Sequence, residues 1–274
     1  MHVGAEAEHS ERCETMRLQK FLARSGCGSR RRCEQMVADG RVQVNGVTIQ
    51  EMGVQVNPHS DTVLLDGKPV MLQADNVVIA LNKPVSCYST MHDQVGRSCV
   101  ADLLPMERYP SLYHIGRLDR DTTGVLLFAT DGNLGQQLLH PSKHVSKEYL
   151  AQVKGLPSEA ALGRIRSGIE IRRGERVHIC APATAEVFEE LPSRYMEQDS
   201  CLEPGIPHTS FVRIVIHEGV KHQVKLMLGE IGNPVVRLHR TQFGPIGCGT
   251  LAQGQWRLLS ESEIKRLTET QPSV

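Results

Sequence analysis

Apolar positions in the first fifty residues recur at helical spacing and then switch to alternation. Leu18, Phe21 and Leu22 stand at i, i+3 and i+4, one face of a short helix that Ser25-Gly26 ends. Ser29 is placed to cap a second helix, with Cys33, Met36 and Val37 as its buried face and Gly40 as its stop. Val42 and Val44 alternate, Asn45-Gly46 supplies a two-residue turn, and Val47 and Ile49 alternate back, so a hairpin is predicted. Residues 50–76 read as strand and turn material containing a linker, with breaks at Pro58, Gly67 and Pro69. Residues 1–15 lack apolar periodicity and are expected to be a disordered tail.

The rest of the chain alternates strands with short helices. Val77–Leu81 and Val125–Ala129 are unbroken apolar runs of buried-strand type, the second ending at an Asp131-Gly132 turn. Asn133–His140 follows as a helix. Lys147–Val153 alternates as a strand with Tyr149, Ala151 and Val153 on one face. A helix over 158–168 begins at Ser158 and closes at Gly168. Strands are predicted at Phe211–His217, Val235–Arg240 and Trp256–Leu259, with a helix carrying Val224, Leu228 and Ile231 after Glu218-Gly219. Ser260-x-x-Glu263 opens the last helix as a capping box. Residues 183–209 are acidic, contain proline and run longer than a typical connection, so an inserted loop is expected there.

Composition bounds the class. The 274 residues suffice for about two domains. There is no apolar run near the roughly 20 residues that span a bilayer and no signal-peptide pattern, so a cytoplasmic chain with no membrane role is expected. Eight cysteines are scattered singly without a C-x-x-C pair, the pattern of free thiols. Charge sums to zero, which by itself argues against nucleic acid, but its distribution reverses that argument. Met16–Gln50 carries Arg17, Lys20, Arg24, Arg30, Arg31, Arg32 and Arg41 against Glu34 and Asp39, a net +5. Ala183–Thr209 is net −5. With Arg30–Arg32 in the first turn of the second helix and Arg17 and Lys20 on the first, the positive side chains converge as a phosphate grip.

The densest chemistry lies at Gly116–Gly124, where Asp119 and Asp121, Arg117 and Arg120, and Thr122 and Thr123 stand between glycines just ahead of the buried strand. A loop held by a buried strand is where catalytic side chains tend to sit. This segment resembles G-R-L-D-x-D-T-x-G, the signature of the pseudouridine synthases that act on ribosomal RNA. The resemblance extends along the chain. Asn82-Lys83-Pro84 with Ser89-Thr90 resembles the family's first motif, with Ser86 in place of a glycine. Lys147-Glu148-Tyr149 resembles K-x-Y, and His222-Gln223-Val224-Lys225 resembles H-Q-V-[KR], with Leu226 where a second basic residue is frequent. The N-terminal unit resembles the RNA-binding module of ribosomal small-subunit protein four, through R-L-x-K-x-L-A at Arg17–Ala23, G-x-x-S-R-R at Gly26–Arg31 and G-x-V-x-V-N-G at Gly40–Gly46.

The resemblance implies an α+β chain. Residues 16–75 would form the helical and hairpin RNA-binding module, and residues 76–270 a synthase domain with a central mixed, mainly antiparallel sheet flanked by helices. It implies that Asp119 acts as nucleophile, that Lys225 pairs with it, and that Tyr149 stacks on a uracil that has left the helical stack and exchanges a proton at carbon-5. RNA contacts are expected from Arg17, Lys20, Arg30, Arg31, Arg32, Lys83, Arg117, His222 and Gln223. Arg117 would fill the vacated space. The reaction needs no metal or cofactor, and none is expected. The expected partner is ribosomal RNA or an assembly intermediate, with the protein a monomer.

The D-T-T-G, H-Q-V-K and R-L-H-R segments look closer to the small-subunit branch, so 16S RNA is the expected substrate; 23S RNA and a non-catalytic ribosome-assembly factor are the alternatives. Three other readings fail on the residues. A phosphatase-like D-x-D-x-T needs an apolar strand directly before it, a calcium loop needs Glu where Thr130 stands, and His217-Glu218 with His222 misses H-E-x-x-H by one residue.

Overall fold

The computed structural model describes residues 15–72, 76–198 and 200–269. All but the last residue of the tail expected over residues 1–15 lie outside them. The chain divides into two compact units, one of residues up to Asp75 with Glu107–Ser111, the other of Asn76–Met106 with the chain from Leu112 onward. Among the described residues no helix is long and apolar enough to cross a membrane.

The first unit opens with β1 (Met16–Arg17) and α1 (Leu18–Arg24), so Arg17 stands on a short strand at the N-cap rather than inside the helix. In α2 (Arg30–Ala38) the Ser29 hydroxyl accepts the Arg32 amide as expected, and Cys33, Met36 and Val37 are buried. Strands β2 (Val42–Val44) and β3 (Val47–Ile49) pair antiparallel with Val42 opposite Ile49. Asn45 and Gly46 turn between them with φ of 50° and 82°, the left-handed pair that a two-residue hairpin demands. The stretch after Gln50 is strand and turn material, as expected. It forms β4 (Gln55–Val56), paired to β1, and the hairpin β5 (Val63–Leu65) and β6 (Lys68–Val70), which extends the sheet to β3-β2-β5-β6. Leu18, Phe21, Leu22, Met36, Val37, Val42, Val56 and Val63 make one core.

The second unit is built on nine strands: β7 (Val78–Lys83), β8 (Tyr113–Ile115), β9 (Thr122–Ala129), β10 (Lys147–Lys154), then β13 (Thr184–Phe188), β14 (Thr209–Ile216), β15 (Val235–Phe243), β16 (Ile246–Gly247) and β17 (Trp256–Leu258). A separate hairpin, β11 (Glu170–Arg173) with β12 (Arg176–Ile179), has no counterpart in the sequence analysis, because charged and apolar residues are mixed on both of its faces. The main order is β13-β14-β10-β15-β9-β7-β17, with β8 against β9 and β16 against β15. Every pairing is antiparallel except β15 with β9, so the sheet is mixed and mainly antiparallel.

All eight residues of β9 are buried, which explains its unbroken apolar run. Each large side chain there contributes about 1.5–3 kcal/mol relative to exposure. Gly124 is needed within it, since a Cβ would overlap the Arg240 backbone of the neighbouring strand. Helices α3 (Gly132–Leu139) and α7 (Glu261–Thr268) cover one face over Val125, Leu127, Leu138, Phe243 and Leu267, and the capping box at Ser260 is formed. Helix α4 (Glu159–Arg166) is capped by Ser158.

The acidic stretch after Pro182 is not an inserted loop throughout. It begins as β13, the edge strand of the central sheet, with Thr184 and Glu186 exposed and Ala185 buried, and continues through α5 (Ser193–Met196). Its Leu191, Tyr195 and Leu202 pack with Leu150 and Phe211. Helix α6 (Gln223–Glu230) starts later than expected, after a turn that places His222 at its N-cap in the left-handed conformation (φ 61°).

Candidate active site

The segment Gly116–Asp121 delivers Asp119 to the N-terminal end of β9, where three local devices fix the loop. The Asp119 carbonyl accepts the Thr122 amide at 3.1 Å, closing a turn. Ser89 clamps Leu118 on both sides, its hydroxyl donating to the Leu118 carbonyl at 2.7 Å and accepting the Leu118 amide at 3.2 Å. Lys83, at the end of β7, donates from Nζ to the carbonyls of Pro84 (2.8 Å), Arg120 (3.3 Å) and Thr122 (2.9 Å). Lys83 is 0% exposed, and burial pushes its pKa down to about 8. The RNA contact expected of Lys83 is therefore corrected: its donors are spent on the loop that carries the two aspartates.

Beside Lys83, Ser86 takes φ 62°. The turn keeps the left-handed backbone that the family's glycine would supply, and the serine bears the strain.

The N-cap and first turn of α6 supply the side chains facing Asp119. His222 Nδ1 lies 3.0 Å and Lys225 Nζ 3.4 Å from Asp119 Oδ2, while the same Lys225 Nζ sits 2.6 Å from Asp121 Oδ1. Lys225 thus bridges both carboxylates and holds the more exposed Asp121 more closely. Partial burial pushes the Asp121 pKa up, but the Lys225 hydrogen bond and charge outweigh it and the net shift is downward. His222 also differs from its expected role, since its ring meets the carboxylate. Gln223 is 3% exposed, donates to Glu218 Oε1 at 2.6 Å and accepts the Val220 amide at 3.1 Å. It braces the turn into α6 and does not offer RNA a side chain.

These residues open onto a cavity of about 1260 Å³ within the second unit. Its floor is the face of β10 and β15 that bears Lys147, Tyr149, Leu238, Arg240 and Phe243. Tyr149 is 8% exposed. Alternation sends Glu148 to the opposite face, where Arg213 (2.6 Å), Tyr195 and Thr241 hold it. Exposed Arg97, Arg117 and Arg120 line the cavity, and Arg97 and Arg120 lie 4.3 and 5.7 Å from the Tyr88 ring centroid. Sequence reasoning did not assign Arg97, Arg120, Lys147 or Arg240 to the site; for Lys147 and Arg240 the available signals were the K-x-Y and R-L-H-R segments that contain them.

In the first unit Arg17 and Arg30–Arg32 are exposed and Lys20 is partly so. Their unit's ion pair among the described residues joins Arg41 to Asp66.

One grouping was not legible from spacing: His178, Cys180 and Glu218 bring a ligand-type atom each within 4.8 Å of one another. Glu218 is already engaged by His178, the Ala181 amide and Gln223. Burial holds the Cys180 thiol up at about 11. The residues fit a brace for the turn better than a metal centre, which needs a thiolate.

Residues 77–230 match the family model described as RNA pseudouridylate synthase, and residues 16–63 match that of the S4 domain. The chain belongs to the RNA pseudouridine synthase family. It is 38% identical over 265 residues to an uncharacterized RNA pseudouridine synthase of Mycobacterium tuberculosis, covering 96% of this chain and 97% of the relative. It is 35% identical over 254 residues to the ribosomal large subunit pseudouridine synthase B of Bacillus subtilis, covering 92% and 95%. A crystal structure of a pseudouridylate synthase superposes with a TM-score of 0.61 at 28% identity over 92% of this chain and 99% of that one. This enzyme thus joins an S4 RNA-binding domain to a pseudouridine synthase fold.

Proposed function

We propose that this synthase isomerises a uridine of ribosomal RNA, with Asp119 as nucleophile at the sugar, and that the RNA is that of the large subunit. The observation that carries the catalytic part is the setting of Asp119: one carboxylate oxygen facing His222 and Lys225 at the rim of a cavity whose floor presents Tyr149. Lys225 sets a positive charge beside the oxygen that attacks, and His222 orients it. Lys225, held from the far side by Asp121, is fixed in place to do this. Tyr149 receives the base, and Arg117 follows the RNA strand at the cavity wall. Arg17, Lys20 and Arg30–Arg32 supply phosphate contacts that position without reading sequence.

The large-subunit assignment rests on the named Bacillus subtilis relative, whose similarity spans nearly the whole of both chains. The 16S expectation, which rests on the likeness of D-T-T-G, H-Q-V-K and R-L-H-R to the small-subunit branch, is set aside. Mapping pseudouridines in both ribosomal RNAs of a deletion strain tests this, with loss of a site in 23S RNA expected and loss confined to 16S RNA reversing the choice. Asp119→Asn tests the nucleophile. Single-turnover conversion should fall by about 10⁴-fold or more. Folding should be retained, because Lys225 keeps Asp121 as its partner. Conversion near the parent rate would remove Asp119 from the mechanism.

A further inference from the structure

The cavity floor holds a cation that the mechanism above leaves unused. Arg240 on β15 stands directly across from Tyr149 on β10 and is 2% exposed. Its Nε donates to the Val125 carbonyl at 2.7 Å, and its guanidinium carbon lies 6.0 Å from the Tyr149 ring centroid and 5.3 Å from that of Phe243. Among the described residues no carboxylate forms an ion pair with it. Its Nη2 is buried with no hydrogen-bond partner. A second cation, Lys147, lies two residues before Tyr149 on the same floor, where burial and then Arg240 push its pKa down to about 8. Buried polar groups are almost always paired, and a buried guanidinium with a spare N–H beside a cavity is the exception that asks for a ligand.

On the reading that the enzyme isomerises a flipped uridine, we propose that Arg240 is a further catalytic residue: its guanidinium, unpaired at Nη2, donates to a carbonyl oxygen of the base and stabilises the negative charge that the base acquires on leaving the sugar. Depth selects the base over a phosphate. A phosphodiester stays on the outside of the strand, where exposed Arg97, Arg117 and Arg120 meet it first. A base rotated out of the stack reaches the floor where Tyr149 and Arg240 lie.

The step balances without a co-reactant. The C1′–N1 bond breaks with its pair going to N1, and the charge spreads onto O2 and O4 while the Asp119 carboxylate bonds C1′. Carbon-5 then supplies the pair for the new C5–C1′ bond and the carboxylate is released. The proton on carbon-5 is lost and N1 gains one. Arg240 transfers no proton, and its bond strengthens as charge develops, the condition for accelerating the step.

The test compares leaving groups. A short RNA carries either uridine or 5-fluorouridine at the target; the fluorine lowers the proton affinity of N1, so the departing base needs less help. Arg240→Met should slow single-turnover loss of the N-glycosidic bond by about 100-fold on uridine. RNA affinity should stay within about threefold. The deficit on 5-fluorouridine should be about tenfold smaller. Arg240→Lys keeps the charge, should show a smaller deficit with the same dependence on leaving group, and carries the comparison if the Met variant does not fold. Equal deficits on both substrates, a deficit confined to affinity, or none would overturn the proposal while the isomerase reading stands. An intact enzyme that converts no uridine would overturn that reading and this proposal together.

Discussion

In the first unit, Arg30, Arg31 and Arg32 begin α2 with their side chains in solvent; in the second, Lys147 and Arg240 line the cavity floor and Lys83 is buried against the loop that carries Asp119. An exposed guanidinium acts through a field that reaches about 8 Å at physiological salt and tolerates imprecise placement. A buried cation acts through geometry. Lys83 has three carbonyl acceptors and Arg240 has one acceptor and an unfilled donor, and each is useful only where it stands. The difference teaches that the count of basic residues near a motif does not say which of them meet RNA; burial does.

Lys83→Met is the sharpest attempt to break this contrast. It strands the carbonyls of Pro84, Arg120 and Thr122. Urea unfolding should show a loss of about 2–4 kcal/mol. Turnover should fall with the Asp119 loop, and RNA affinity should change little. Weakened RNA binding with unchanged stability would return Lys83 to the interface.

Replacing Arg30, Arg31 and Arg32 together by Ala should do the reverse. Stability should move by no more than about 0.5 kcal/mol. The slope of log affinity against log salt should flatten by about 2, from roughly 0.7–0.9 per lost phosphate contact. An unchanged slope would show that the cluster is only a solvated face.

Asp121→Asn probes the bridge between the two carboxylates and should slow conversion by about tenfold or less. The pKa of Asp121 is depressed in the folded protein, so its pairing stabilises above the ordinary carboxylate range and is lost as pH falls through the lowered value. Because the side chain is 71% exposed, acid titration of stability should differ only slightly between variant and parent. A 10⁴-fold defect would instead make Asp121 an equal partner of Asp119.

The smallest effect concerns Lys147. Its folded pKa of about 8 lies below the unfolded value, so between these pH values the unfolded chain binds more protons. Stability therefore rises with pH from about 8 towards 10.5, and Lys83 adds a similar rise. Lys147→Met should remove part of it, about 1 kcal/mol. Parallel stability curves for the two proteins would show that Lys147 is solvated.

Much of this was legible in the residues. The caps at Ser29, Ser158 and Ser260, the Asn45-Gly46 turn and the buried run Val125–Ala129 are local statements, and the structure keeps them. Residues 183–209 were misjudged because a five-residue edge strand followed by Glu189 and Glu190 resembles a solvated loop until β14 is placed beside it. His222 and Gln223 were assigned by motif to RNA, yet one faces Asp119 and the other braces a turn.

By itself, then, the sequence determined what depends on near neighbours: periodicity, capping, turn chemistry, and motifs specific enough to mark Asp119, Tyr149 and Lys225. Only the tertiary structure decided which charges turn inward and which strands lie side by side. Tyr149 and Arg240 are ninety-one positions apart and meet because β10 and β15 pair in one register. Lys83 and Arg120 meet because β7 and β9 do. Register is fixed by burial of whole faces at once, a collective choice that no single segment carries.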